Sequence, residues 1–160
     1  YEMGHRRIAY IHGEDDSEVT KQRLTSFYRT LEELGIEVPD EYVKSSEYLN
    51  SVKAEQFTDE LLDMKDAPTC IFYPDTGGLN VVRKRGLKVP RDISTVGYDG
   101  IKLSQMLSPK LTTLRQDTME IGKKAAKELI AAIERPKTTL VKRVIVEGTL
   151  IEGETVRDIS

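Results

Sequence analysis

The chain has 160 residues, 38% of them hydrophobic and 32% charged, with a formal charge of −3. That is enough apolar residue for one globular domain, or for one lobe plus pieces of another, and it excludes a disordered chain. No apolar run approaches the roughly 20 residues that span a bilayer, so no membrane segment is expected. The acidic balance lacks the Lys and Arg footprint of a nucleic-acid module, which puts any DNA contact outside these residues.

The start Tyr1-Glu2-Met3-Gly4-His5-Arg6 has no secretory signal and reads as a cut end. A first strand is expected over 8–12, followed by a loop at Gly13-Glu14-Asp15-Asp16. Ser17 is a favourable N-cap, Leu24, Phe27, Tyr28, Leu31 and Leu34 recur at helical spacing, and Gly35 supplies a stop. A connection marked by Pro39 leads to a short strand over 43–46. A helix over 51–64 then places Ala54, Phe57, Leu61 and Met64 on one face. The apolar run between Pro68 and Pro74 is too short for an ordinary helix, so it reads as the central strand. Its single cysteine, Cys70, is expected as a buried thiol, a usage that suits a reducing cytoplasm.

A helix over 77–85 and a strand over 94–98 follow, the strand rich in Thr95, Val96 and Tyr98 and delivering Asp99 to its exit. Strand–helix units joined by short loops predict an α/β fold with parallel strands and right-handed crossovers. Beyond Asp99 the rhythm changes, with an irregular stretch over 103–109 and a short extended one over 111–114. Asp117 and Glu120 then stand in capping-box relation, and Ile121, Ala125, Leu129, Ile130 and Ile133 draw an apolar stripe that ends at Pro136. Residues 141–146 and 149–151 read as extended, and 152–160 as a polar tail.

Parallel strands would bring three loops to one rim, where such sheets bind ligands. Asp75 and Asp99 both fall there. They could form an acid–base pair, though that chemistry needs separated pKa values which sequence alone does not establish. Asp75 reads equally as an N-cap, and Asp99 as a ligand contact or a turn residue. Arg23 is a solvated helix arginine or a forked donor reaching the rim. Tyr48 stacks on a ligand or merely anchors its loop. His5 and His12 have no partners at metal-ligand spacing, no nucleophile elbow surrounds a serine, and no Walker or dinucleotide pattern accompanies Gly77-Gly78. No catalytic residue, metal or cofactor is expected.

Several segments together resemble the effector-binding core of LacI/GalR-type transcription regulators. They are Gly4-His5-Arg6-Arg7-Ile8-Ala9, Arg23-Leu24 with Phe27, Pro68-Thr69-Cys70-Ile71-Phe72, the run from Gly86 to Asp99, and Leu111-Thr112-Thr113-Leu114-Arg115-Gln116. The resemblance implies a periplasmic-binding-protein-like (type I) fold with two lobes, present here incompletely. Residues 1–110 would form the C-terminal lobe, 111–137 a returning segment packed on an absent N-terminal lobe, and 138–160 a return to the C-terminal lobe. It further implies a cytoplasmic, homodimeric regulator with no enzymatic activity. Its small effector would be a sugar or sugar phosphate, and DNA would be met only through a headpiece outside this chain. Effector contacts would map onto Arg23, Asp99 and Gln116. The family commonly has Ala-Asn-Asp where this chain has Tyr73-Pro74-Asp75, so the usual amide contact is lost or moved. A sugar-binding protein of an uptake system shares the fold and is the alternative, and an enzyme using Asp75 and Asp99 is a third.

Overall fold

The computed structural model describes residues 1–47, 50–74, 78–138, 140 and 142–160. In chain order the elements are β1 (Ile8–His12), α1 (Glu18–Glu33), β2 (Val43–Ser45), α2 (Ser51–Leu62), β3 (Cys70–Phe72), α3 (Gly78–Lys84), β4 (Ser94–Asp99), β5 (Thr112–Arg115), α4 (Thr118–Glu134) and β6 (Thr149–Ile151). The capping residues behave as their chemistry dictates. Ser17 accepts from Thr20 N at the start of α1, and Asp117 Oδ1 accepts from Glu120 N at 2.9 Å at the start of α4. Gly35 takes φ +70 just past α1.

Six strands form one sheet in the order β2-β1-β3-β4-β5-β6. The first five are parallel and β6 runs antiparallel to β5. The apolar run between the two prolines is the centre of the sheet, as expected, although only three of its residues join the ladder. The side chains of alternate strand residues divide between two faces. On one face Ala9, Ile11, Ile71 and Tyr73 pack with Leu61 of α2 and Val82 of α3 to form the main core. The Cys70 thiol is buried, and burial pushes its pKa up to about 12, so it is an inert core thiol.

On the opposite face α1 covers only part of the sheet. Tyr10, Phe72 and Tyr98 line up across β1, β3 and β4, with Tyr10 stacked on Phe72 at 4.6 Å and Phe27 of α1 closing on Tyr10 at 5.1 Å. Beside α1 the face opens into a groove of about 980 Å³ whose walls include Ile8, Cys70, Val96, Leu114 and Leu150.

One sequence expectation needs correction, and the polar tail takes part in the fold. The polar tail is structural: Thr155 is fully buried, its Oγ1 donates to Thr95 O at 2.7 Å and accepts from Thr112 N at 2.9 Å, and Thr95 N donates to Thr155 O. The tail thus packs against the start of β4, and Ile159 N reaches Met3 O. The extended stretch over 141–146 joins no ladder among its described residues, and Val141 lies outside them. The amphipathic α4 forms as expected, but none of its residues is buried, and Ile121, Leu129, Ile130 and Ile133 face solvent.

Candidate functional site

The exits of the parallel strands share one rim, and the chain arranges a polar cluster there. Arg23 lies four residues before Phe27, so the two occupy one face of α1 and both reach toward the sheet. Its guanidinium lies over the Tyr98 ring, 3.7 Å from the centroid, and thereby extends the aromatic row across the sheet. Its Nη2 donates to Asp99 Oδ1 at 3.3 Å. The Arg23 side chain is 14% exposed and that of Asp99 39%, so the pair sits half in water, open to a ligand from one side.

Asp99 reaches this position through an unusual backbone. Its φ is +75, and Gly100 follows at φ +56. Two consecutive left-handed residues turn the chain sharply at the exit of β4; Asp tolerates this conformation better than most side chains and glycine at no cost. The turn is held because Gly100 N donates to Thr113 Oγ1 at 3.2 Å. No larger residue fits in place of Gly100, since a Cβ there would stand 2.4 Å from Arg115 Cα. The pairing of Asp99 with Arg115 in the β4–β5 ladder brings the next residue, Gln116, within reach, and its Nε2 donates to Asp99 Oδ1 at 2.5 Å.

His12 closes β1 on the same rim. It is buried, with Nδ1 donating to the Gly13 carbonyl at 2.8 Å, which fixes the proton on that nitrogen in the neutral ring. Asp15 stands 3.7 Å from the same atom.

Of the five residues singled out from sequence, Arg23, Asp99 and Gln116 meet in one cluster, whereas Tyr48 and Asp75 lie outside the described residues. Sequence reasoning missed Tyr98 as a site residue, treating it only as a strand former. Its signal was available: strand alternation puts it on the same face as Val96, the face toward α1. The arrangement offers a forked cation, an amide and a carboxylate acceptor beside an aromatic ring. Such a set can donate to and accept from hydroxyl groups. Among the described residues no group of His, Cys, Asp and Glu could hold a metal ion, and no helix is long and apolar enough to cross a membrane.

Comparison with known proteins agrees with this architecture. The family described as periplasmic binding protein-like domain matches residues 1–156. The HTH-type transcriptional repressor CytR of Escherichia coli (strain K12) is 31% identical over 159 residues, which are 97% of this chain and 46% of CytR. Among solved structures, a LacI transcriptional regulator from Bacillus cereus subsp. cytotoxis NVH 391-98 superposes with a TM-score of 0.92 at 30% identity, covering 99% of this chain and 57% of that one. The transcriptional regulator CelR in complex with cellobiose gives a TM-score of 0.86 at 29% identity over 96% of this chain and 48% of CelR. The chain therefore spans about half the length of the relatives it matches.

Proposed function

Because the chain belongs to the periplasmic binding protein-like domain family, in the form of a LacI-type effector-binding core, we propose that it is the ligand-sensing part of a DNA-binding transcription regulator. The single observation that carries this reading is the convergence of Arg23, Asp99 and Gln116 on one rim, backed by Tyr98. Asp99 and Arg23 would take hydroxyl groups of a small effector of the sugar class, with Gln116 holding the carboxylate in place near the crossover to a second lobe.

On this reading residues 1–110 and 138–160 belong to one lobe, and 111–137 pack on a second lobe outside these residues. The solvent-facing stripe of α4 supports that division, since an amphipathic helix of 17 residues gains its stability from a partner surface. Effector bound between the lobes would favour the closed arrangement, and its differential affinity for closed and open forms would set how far the DNA-competent state is depopulated. No chemistry on the effector is required. DNA would be bound by a headpiece elsewhere in the full-length protein, acting as a homodimer in the cytoplasm. Both CytR and CelR are transcription regulators by name, which favours regulation over sugar uptake.

The test is operator binding by the full-length protein, with the operator selected from random DNA, measured in the presence and absence of a sugar panel. At least one compound should change operator affinity tenfold or more. A full-length protein that selects no DNA sequence would refute the reading.

A further inference from the structure

Resting on the reading above, we propose that Gln116 is the coupling residue of this protein: its hydrogen bond to Asp99 ties the crossover that leads to the second lobe to the acid that holds the effector. The sheet marks where that crossover lies. Asp99, Arg115 and Thr149 stand in one row across β4, β5 and β6, because Asp99 pairs with Arg115 and Arg115 with Thr149. Residues 116–148 therefore leave the sheet and rejoin it at one point. α4 lies within this excursion and buries none of its residues, so its direction relative to the sheet depends on the chain at these two exits. The first exit is short. Only Gln116 and the cap residue Asp117 separate β5 from α4, and Thr118 N donates to the Gln116 carbonyl at 3.0 Å across a tight turn at Asp117, whose φ is −80 and ψ 79. A rotation at Gln116 passes straight into the helix.

The site end of the tie is held firmly. Thr113 Oγ1 accepts from Gly100 N at 3.2 Å, and Gly100 packs against Arg115, so the turn that carries Asp99 is fixed to β5. Arg23 Nη2 and Gln116 Nε2 both donate to the same carboxylate oxygen, Asp99 Oδ1, which leaves Oδ2 as the acceptor for an effector hydroxyl. A hydroxyl donating to Oδ2 fixes the plane of a carboxylate that is otherwise open to water on one side, and with it the direction in which Gln116 is held. A hydrogen bond to a charged group is typically worth a factor of about ten or more in an equilibrium, enough to carry a tenfold operator response. Arg23 belongs to α1, within the lobe, and sets affinity. Gln116 stands at the exit from the lobe and sets how much of the binding free energy reaches the other one.

The test is operator binding by the full-length protein, titrated with aldopentoses, aldohexoses and disaccharides in turn, the sugar with the largest effect on wild type serving as the probe. The readout is the ratio of operator affinities at saturating sugar and without sugar, with saturation followed by calorimetry. Gln116→Ala and Gln116→Glu, the second of which keeps the length of the side chain and removes the donor, should reduce that ratio to about threefold or less however much sugar is added. Arg23→Lys should instead raise the sugar concentration at the midpoint and keep the saturating ratio. Recovery of the wild-type ratio by both Gln116 variants at higher sugar concentration would make Gln116 an effector contact alone and overturn the inference, as would an equal loss of ratio in Arg23→Lys. A wild type that answers no sugar fails the reading above and this inference with it, whereas a wild-type response that survives in the Gln116 variants fails the inference alone.

Discussion

Replacing Gly100 by alanine probes the hinge on which the whole cluster turns. Its φ of +56 costs an L side chain about 1 kcal/mol. The added Cβ would also lie 2.4 Å from both Cα and Cβ of Arg115, a backbone contact that no rotamer change can relieve. Overpacking of that kind typically costs about 1–3 kcal/mol, giving a total of about 3 kcal/mol. For a domain of this size each kcal/mol lowers Tm by about 2–4 °C, so thermal unfolding should fall by roughly 6–12 °C. Gly35 is an internal control. Its φ is +70 but nothing lies within 4 Å of its would-be Cβ, so Gly35→Ala should lose only the conformational part, about 1 kcal/mol. Calorimetry of the two variants side by side isolates the contact. Equal losses would mean that β4 and β5 do not close on each other at Gly100, and the assembly of Asp99 with Gln116 would lose its physical basis.

Other outcomes follow from the same geometry. Tyr98→Leu removes the ring under a largely buried guanidinium, a contact worth about 1–2 kcal/mol, so effector binding by the full-length protein should weaken roughly 5- to 30-fold while Tyr98→Phe stays near wild type in the same calorimetric titration. Thr155→Val deprives Thr112 N of its partner and leaves the Thr95 carbonyl short of a donor, which should cost about 2–3 kcal/mol in denaturant unfolding; an unchanged midpoint would show that the tail does not anchor the sheet. His5 donates from Nε2 to Arg157 O at 3.1 Å, and burial holds its pKa below the usual 6.5. The folded state therefore binds this proton less readily than the unfolded one. The stabilising contribution is complete above pH 6.5 and is lost as pH falls from there through the folded pKa. His5→Gln should flatten that part of a stability-against-pH curve, and an unaltered slope would refute the assignment.

How much of this was legible in sequence depended on whether the determining contact was local. Ser17, Asp117 and Gly35 act on residues within one turn of themselves, so the limits of α1 and the start of α4 could be read directly. The parallel run of the strands followed from their alternation with helices, and Arg23 and Asp99 could be placed near one rim on that ground. Their meeting could not, because Arg23 and Asp99 are 76 residues apart and the turn after Asp99 is held by Thr113 from the next strand, which accepts from Gly100 N. Thr155 carries no local sign of burial in a polar stretch, since its partner Thr95 lies 60 residues away. The stripe of α4 was readable as a face to be covered, but periodicity does not name its cover.

The most direct test of the account is the effect of Asp99→Ala on the full-length regulator. Two side chains donate to this carboxylate, and a hydrogen bond to a charged group is typically worth about 1.5–3 kcal/mol. The variant should therefore bind the effector at least roughly tenfold more weakly by calorimetry, and need correspondingly more effector to alter operator affinity, while operator binding without effector is preserved. Asp99→Ala protein that binds effector with wild-type affinity would contradict the assignment of this cluster as the sensing site.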